Sequence, residues 1–485
     1  MPRLVPLWTD VSIWLLMASL VVYAVVVRRN RDLSASWGKV FRDPAALASS
    51  LVLVACLAVT LLDSVHFRSL LPPVAGAKSA APNYDTRTRS LLDVVLAGLV
   101  DSREATYSRP LATVGFTKES VVVGGEAQRV APRLVHGGAH LSDPDRQWAG
   151  DVAGRVGVGA GVGALVAALL SALLIAAVGR RERLGWRAAA AAIGRQALPV
   201  PWRTAIATLF VFGLLVGPTV ALMNHYHVLG TDLTGNDILY QALKSIRTAF
   251  VIGTLATVAT LPVAVTLGIM AGYFRGWVDE VIQYLYTLLS SVPNVLLIAA
   301  CVLMVQVFLD KHPEMFETGV ERADLKLFLL CAVLGLTNWA TLCRLLRAET
   351  LKLRTLEYVQ AADAFGIGSA RIMVRHIFPN VAHLMLIVTV LDFSSLILYE
   401  AVLSYVGVGV DPSMNSFGGM INLARNEMSR DPVVWWSFAA AFGFMVSLVL
   451  AANLFHDGVR DAFDPRMRAF RPRRAVGLPT MRAPL

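Results

Sequence analysis

A chain of 485 residues with 56% hydrophobic and 16% charged side chains falls outside the soluble class, where about a quarter of residues carry charge. Its net charge of +10 sits on no basic soluble domain, which argues against a nucleic-acid footprint. The apolar runs are continuous rather than alternating, so the composition predicts an all-α polytopic membrane protein and not a β-barrel.

Crossing about 30 Å of hydrocarbon takes about 20 apolar residues. Runs of that kind occupy 11–27, 45–63, 155–178, 204–223, 248–273, 283–308, 325–346, 382–405 and 433–455. The first follows Met1-Pro-Arg and closes on Val-Val-Val-Arg-Arg without an A-x-A cleavage site, so it is read as a retained span and not a signal peptide. Segment 64–153 is soluble in character. Within it, Arg89–Asp101 has helical periodicity, with Leu92, Leu96, Leu99 and Val100 near one face. Ser120–Val130 predicts a hairpin turning at Gly124-Gly125. A small external α+β insertion for packing or docking is expected, since nothing in it has catalytic spacing. His225 and His227 alternate just outside a span and read as an interfacial pair. Asp232 to Asp237 lacks the length and terminal Glu of an EF-hand loop. Cys56, Cys301, Cys331 and Cys343 lie in or beside spans and behave as small apolar residues, implying neither disulfide nor metal.

Arginine and lysine concentrate in 28–44, 179–203, 344–381 and the tail after Asp457. These segments are expected inside, with the short 274–282 turn, while 64–153, 224–247, 309–324 and 406–432 face outside. The N-terminus is thereby outside and the C-terminus cytoplasmic. Three blocks are expected: 1–200 with three spans and the external insertion, 201–456 with six closely spaced spans, and a basic tail at 457–485.

No G-x-x-x-x-G-K-[ST], H-E-x-x-H or G-x-S-x-G occurs anywhere in the sequence, so intrinsic nucleotide or hydrolytic chemistry has no motif to rest on. The most informative segment is instead Glu357–Asn380, a polar loop between two apolar runs. It reads as a helix, a reversal at Gly366, and a second helix stopped by Pro379. Ala361 and Ala362 are small and helix-favouring, suited to close contact with a partner helix. Glu357, Asp363, Arg371 and Arg375 give that loop a polar docking surface. It is far longer than a return across the bilayer requires and is built to be gripped from the cytoplasm.

Gln360-Ala361-Ala362, then Gly366 and Pro379, resembles the EAA motif of ABC-importer permeases. Leu229-Gly230-Thr231-Asp232-Leu-Thr-Gly235-Asn-Asp237 resembles the signature of the C-type permease of dipeptide and oligopeptide importers. Ala271–Glu280, His376-Ile-Phe-Pro-Asn380, Glu400–Gly409 and Asp457-Gly458-Val-Arg460-Asp461-Ala-Phe-Asp464-Pro465 are similar to further stretches of that family. The resemblance spans about 229–466, half the chain. It implies a six-helix permease core, here carrying three extra N-terminal spans and the α+β insertion, in the cytoplasmic (inner) membrane of a bacterium. It implies a second permease of the same fold, one or two cytoplasmic ABC ATPases gripping the coupling loop 351–380, an extracytoplasmic solute-binding protein, and a peptide substrate. No cofactor is expected on this chain, ATP and Mg being used by the partners. Gln360 stands where the motif has glutamate, Asn236 where arginine is usual and Phe378 where leucine is common, and block 1–200 has no counterpart.

Asp392 lies mid-span in the run 382–405, where a carboxylate costs about 2.5–3.5 kcal/mol on insertion scales. It lines the translocation path or is satisfied by Ser394, Ser395 or another span. Two other classes remain open: a secondary transporter using Asp392, and a membrane-anchored sensor or assembly protein using 64–153.

Overall fold

The computed structural model describes residues 3–71, 84–123 and 126–463. Helix α1 (Trp8–Arg29) hands over at Asn30, whose Oδ1 accepts from Asp32 N at 3.0 Å to cap α2 (Arg31–Val40). Asp43 Oδ2 accepts from Ala46 N at 2.9 Å, and Pro44 fills the first turn of α3 (Pro44–Asp63). Outside these spans β1 (Arg3–Leu4), β2 (His66–Leu70) and β3 (Tyr84–Ser90) form an antiparallel sheet in the order β1-β2-β3.

Residues 89–101, expected as one helix, form two short ones: α4 (Leu91–Val95), started by a capping box of Ser90 and Asp93, and α5 (Ala97–Asp101). The break at Leu96 lets Leu92, Leu96 and Leu99 all bury beneath Leu239. It also turns Val100 outward, exposed rather than on the apolar face. The predicted hairpin forms from β4 (Glu119–Val123) and β5 (Glu126–Val130). Its Gly124-Gly125 turn lies outside the described residues.

Helices α6 (Pro144–Glu182), α7 (Trp186–Gly194) and α8 (Trp202–Met223) follow. Gly159 and Gly163 of α6 face Gly217 and Gly213 of α8, so closely that a Cβ on any of the four would strike the opposing backbone. Lipid tails are as apolar as leucine, so these two spans associate through backbone contact of small residues rather than by hydrophobic exclusion.

The chain continues with α9 (Ile238–Phe274), α10 (Gly276–Ser291), α11 (Asn294–Lys311) and α12 (Gly319–Leu353). After them come α13 (Glu357–Ala364), α14 (Ser369–Ile372), α15 (Phe378–Tyr405), α16 (Phe417–Glu427) and α17 (Trp436–Phe463). Among the described residues, nine helices are long and apolar enough to cross a membrane. The predicted span 283–308 is not continuous. Pro293 carries no N–H and disfavours helical backbone at Val292, which is extended at φ −92°, ψ 136°. The chain therefore breaks into α10 and α11, and only α11 qualifies as a span.

The extension is packed into the rest of the helices. Ile13 of α1 joins a core with Ile252, Leu327 and Leu334. Leu53, Cys56 and Val59 of α3 lie against Ile246, Ala249 and Leu448. A Cβ at Gly458 of α17 would meet Ala46 of α3.

Candidate functional site

The loop 357–379 is held rigidly at its base. Gly268 and Gly272 bring α9 against the backbone of α12 at Cys343 and Arg347. Arg347 grips Asp279 of α10 bidentately, Nε–Oδ1 at 2.5 Å and Nη2–Oδ2 at 2.7 Å. The α13 helix ends in a complete Schellman motif: Ile367 N donates to Ala362 O at 3.1 Å and Gly366 N to Asp363 O at 2.9 Å. Gly366 has φ +75° with open space around it, the predicted reversal.

Two expectations for this loop are corrected. Ala362 is buried within the chain beside Val359, Ile372, Ile377 and Val381, because it lies on the inner face of α13; only Ala361 is exposed for a partner. Pro379 does not stop a helix. A π-turn at Met373–Ile377, in which Phe378 N reaches back to Met373 O, widens the coil so that Pro379 is accommodated in the first turn of α15. Helix 369–405 is continuous, and the loop is joined directly to a span. Asn380 Nδ2 donates to His376 O at 2.6 Å and to Tyr358 Oη at 3.2 Å, tying α15 to α13. His376 is half-buried beside Tyr358.

Glu357, Gln360, Asp363, Arg371, Arg375 and Pro379 are exposed. Gln360 Nε2 donates to Thr355 O at 3.3 Å. Sequence reasoning missed the apolar component: Phe365 is 86% exposed, Val374 69%, with Tyr358 and Leu356 also open. A polar rim around an exposed aromatic is the composition of a docking surface.

At the opposite end, the 229–238 signature knits the insertion to α9. Thr231 Oγ1 donates to Thr106 O at 2.9 Å and accepts from Ser108 N at 2.7 Å. Trp436 Nε1 donates to Thr231 O at 3.1 Å. Gly230 and Gly235 sit at φ +78° and +76° against the backbones of Ser108 and Glu104, where a side chain meets both strain and collision. Asp232 accepts from Thr234 N at 2.8 Å, Asn236 N at 2.9 Å and Gln241 Nε2 at 2.6 Å, so its oxygens serve the loop itself.

Asp237 caps α9 through Leu239 N at 2.8 Å and takes His227 Nδ1 at 2.8 Å. His227 Nε2 lies 3.4 Å from Glu104, which also accepts Val135 N, His136 N and Gly137 N at 2.8–3.0 Å. Burial alone would lower His227, but the two carboxylates outweigh it and raise the imidazole to about 9. His225 instead lies beside His140, ring centroids 5.0 Å apart and the rings tilted at 57°. A histidine held above its free value near 6.5 contributes stability that is complete below pH 6.5 and lost as pH rises through 9. The expected loss is about 3 kcal/mol across that window. Thermal unfolding of His227→Gln measured from pH 6 to 9.5 should be flat where the parent falls; an equal slope in both would refute it.

Asp392 of α15 is half-buried with no hydrogen-bond partner among the described residues. Ser395 Oγ donates to Leu391 O and Ser394 Oγ is buried without a partner, so neither neighbouring serine satisfies it. Glu400 is buried and accepts from Ser404 Oγ at 2.7 Å, fixing the turn at Gly409 and Gly418, both packed against Ser404. On α17, Asp457, Arg460 and Asp461 are exposed and Gly458 is buried; Asp464 and Pro465 lie outside the described residues.

A buried charge network was also missed. Arg247 Nη2 of α9 pairs with Asp10 Oδ1 of α1 at 2.6 Å and lies 3.7 Å from Asp324 Oδ1 of α12. Lys244 joins Asp63 at 3.1 Å and Asp93 at 2.8 Å. Charges at the ends of apolar runs were the available signal, but their pairing is tertiary.

The profile of the family described as "Binding-protein-dependent transport system inner membrane component" matches residues 264–469. The oligopeptide transport system permease proteins OppC of Mycobacterium bovis and Mycobacterium tuberculosis are 32% identical over 245 residues, 50% of this chain and 78% of theirs. The glutathione transport system permease protein GsiD of Pectobacterium atrosepticum is 31% identical over 243 residues, covering 50% and 74%. A solved structure of the MetNI methionine ABC transporter in inward-facing conformations aligns at 17% identity and TM-score 0.35, over 47% of this chain and 96% of that one.

Proposed function

Since the chain belongs to the family of binding-protein-dependent transport system inner membrane components, a multi-pass permease and not the ATPase, we propose that it imports peptides, driven by partner ATPases. The observation that carries the coupling is the loop 357–379, whose exposed Phe365 and Val374 sit on a frame packed against α12 and continuous with α15. A push there moves two spans as rigid bodies, and two-state binding by the ATPases biases the path toward one side or the other. Glu357, Gln360, Ala361, Asp363, Arg371, Arg375 and His376 supply the rim of that docking face. Ala362 supports it from within, and Gly366 and Pro379 set the course of its backbone.

A second permease of the same fold completes the pore, and an extracytoplasmic binding protein delivers substrate on the side of the insertion. That side is outside, with the tail and the coupling loop cytoplasmic, in keeping with the arginine distribution. Residues 1–200 form an extension of the permease domain 201–456, and 229–238 is the seam between them.

The test is reconstitution of the full complex in proteoliposomes with labelled tri-alanine. Uptake requiring ATP is expected; uptake driven by an ion gradient alone would make this a secondary transporter. Asp392 is assigned to the path, because it has no partner among the described residues in α15 or around it. Asp392→Asn should insert normally and reduce uptake about tenfold, the effect of losing one charge-assisted hydrogen bond; undiminished uptake would remove it from the path.

A further inference from the structure

The turn between α6 and α8 is strongly one-sided in charge. Arg180, Arg181, Arg183, Arg187, Arg195 and Arg203 stand there against a single acid, Glu182. All six guanidinium side chains are exposed and none forms an ion pair among the described residues. Their one directed bond runs from Arg203 Nη1 to Gly194 O, at 3.5 Å. The other basic segments answer part of their charge. Arg347 pairs with Asp279 and Lys352 with Glu349, and Asp32 and Asp43 stand among the cations of 28–44.

Two packed helices can be joined by about 2–8 residues, yet this turn spends 183–201 on a helix of its own. Helix α6 closes at Arg183, left-handed at φ +55°, with Leu184 N donating to Gly179 O at 2.8 Å. That folds α7 back across the end of α6. Ala189 and Ile193 are buried, and a Cβ at Gly179 would touch the Ala189 methyl. At about 100° per residue, Trp186 shares this packed side of α7 but is 50% exposed. Arg187, Ala191 and Arg195 follow one another along the open side. The most apolar stretches of α6 and α8 are only 22% and 6% buried, so the hairpin meets lipid over most of its girth. Trp186 and the half-buried Trp202 at the start of α8 mark the headgroup level. A helix with its aromatic toward hydrocarbon and its cations on the flank has the geometry of surface binding. A docked protein would need an apolar anchor, and the open side of α7 offers only Ala191 between its arginines.

We propose that the α6–α8 turn binds anionic phospholipid, with Arg187 and Arg195 donating to headgroup phosphates and Trp186 seated at the edge of the hydrocarbon. The planar guanidinium fork matches phosphate oxygens two at a time. The turn thereby fastens the extension to the bilayer, whichever face of the membrane it occupies and whatever the core transports.

The test uses the full chain, delipidated in neutral detergent and titrated with phosphatidylglycerol or phosphatidylcholine, bound lipid being counted by native mass spectrometry. The parent should retain phosphatidylglycerol over phosphatidylcholine. Each arginine at an anionic surface is worth about fivefold, so Arg187→Gln/Arg195→Gln should weaken phosphatidylglycerol about twenty-five-fold. Arg187→Lys/Arg195→Lys keeps the charge and should retain most of the affinity, which separates loss of charge from loss of fold. Arg28→Gln/Arg29→Gln removes the same charge elsewhere and should leave retention near the parent's. Equal retention of the two lipids, or an equal loss in the Arg28/Arg29 variant, would overturn the site. Displacement of the lipid by inorganic phosphate would overturn it too, by showing that a free anion suffices. Parental lipid retention in the glutamine variant, with loss of co-purifying ATPase from the complex, would give the patch to a protein partner instead.

Discussion

Phe365→Asp is expected to abolish ATP-driven uptake while the chain still inserts and folds. The side chain is 86% exposed, so the fold loses almost no buried area, and the backbone bonds that end α13 do not involve it: Phe365 N donates to Ala361 O at 3.0 Å whatever the side chain. Single exposed hydrophobes are ordinary on any surface. Here Phe365, Val374, Tyr358 and Leu356 all open on one short loop on the arginine-rich side. An aromatic anchor in a docked interface is worth about 2 kcal/mol or more, a thirtyfold change in affinity, and an aspartate placed in its pocket adds an unpaired buried charge. Gln360→Ala should do far less, because its amide is already turned back to Thr355 O at 3.3 Å. The measurement is paired: uptake by proteoliposomes, and co-purification of the ATPase subunits with the variant. Parental levels of both for Phe365→Asp would sink the docking face.

How much of this was legible depends on which interaction fixes each feature. The spans were legible because hydrocarbon demands an uninterrupted apolar run, and eight of the runs map onto continuous helices. The exception, 283–308, carried its own warning: Pro293 lies inside it, and local chemistry there overrides the apolar count. Pro379 misled in the opposite sense. A proline reads as a stop in sequence, yet a π-turn just before it absorbs the missing N–H, and nothing local announces that turn. Ala361 and Ala362 are indistinguishable as letters. Which one faces inward depends on how α13 seats against Ile372 and Ile377, a long-range fact. The same holds for the seam at 229–238. Its glycines and aspartates marked a special turn, but that Gly235 is packed on Glu104 requires the insertion to be in place.

The largest stability effect is expected from Arg247→Met. Arg247, Asp10 and Asp324 are all nearly inaccessible to solvent and come from three different helices. Thr9 completes the group, its N–H 3.0 Å from Asp324 Oδ2 and its hydroxyl bonded to the same carboxylate. Removing the guanidinium leaves Asp324 without a cation and Asp10 with only the His66 imidazole, 2.7 Å away, which costs about 3–5 kcal/mol. Methionine fills much of the volume, so the loss is electrostatic rather than a cavity effect. A buried pair is itself weak evidence of net stabilisation, since desolvation offsets attraction. The informative comparison is therefore Arg247→Met/Asp10→Leu/Asp324→Leu, which removes all three charges and should recover most of the stability lost by the single variant. Thermal unfolding in detergent, with limited proteolysis of the α1–α2 connection as a local readout, separates the two outcomes. If the triple variant is as unstable as the single one, the network matters through directed hydrogen bonds rather than charge balance. If the single variant is already as stable as the parent, α1 is held by Ile13 and its apolar neighbours alone, and the extension is latched by packing. The expected result, a large loss with recovery, makes the network the element that fixes α1 against α9 and α12.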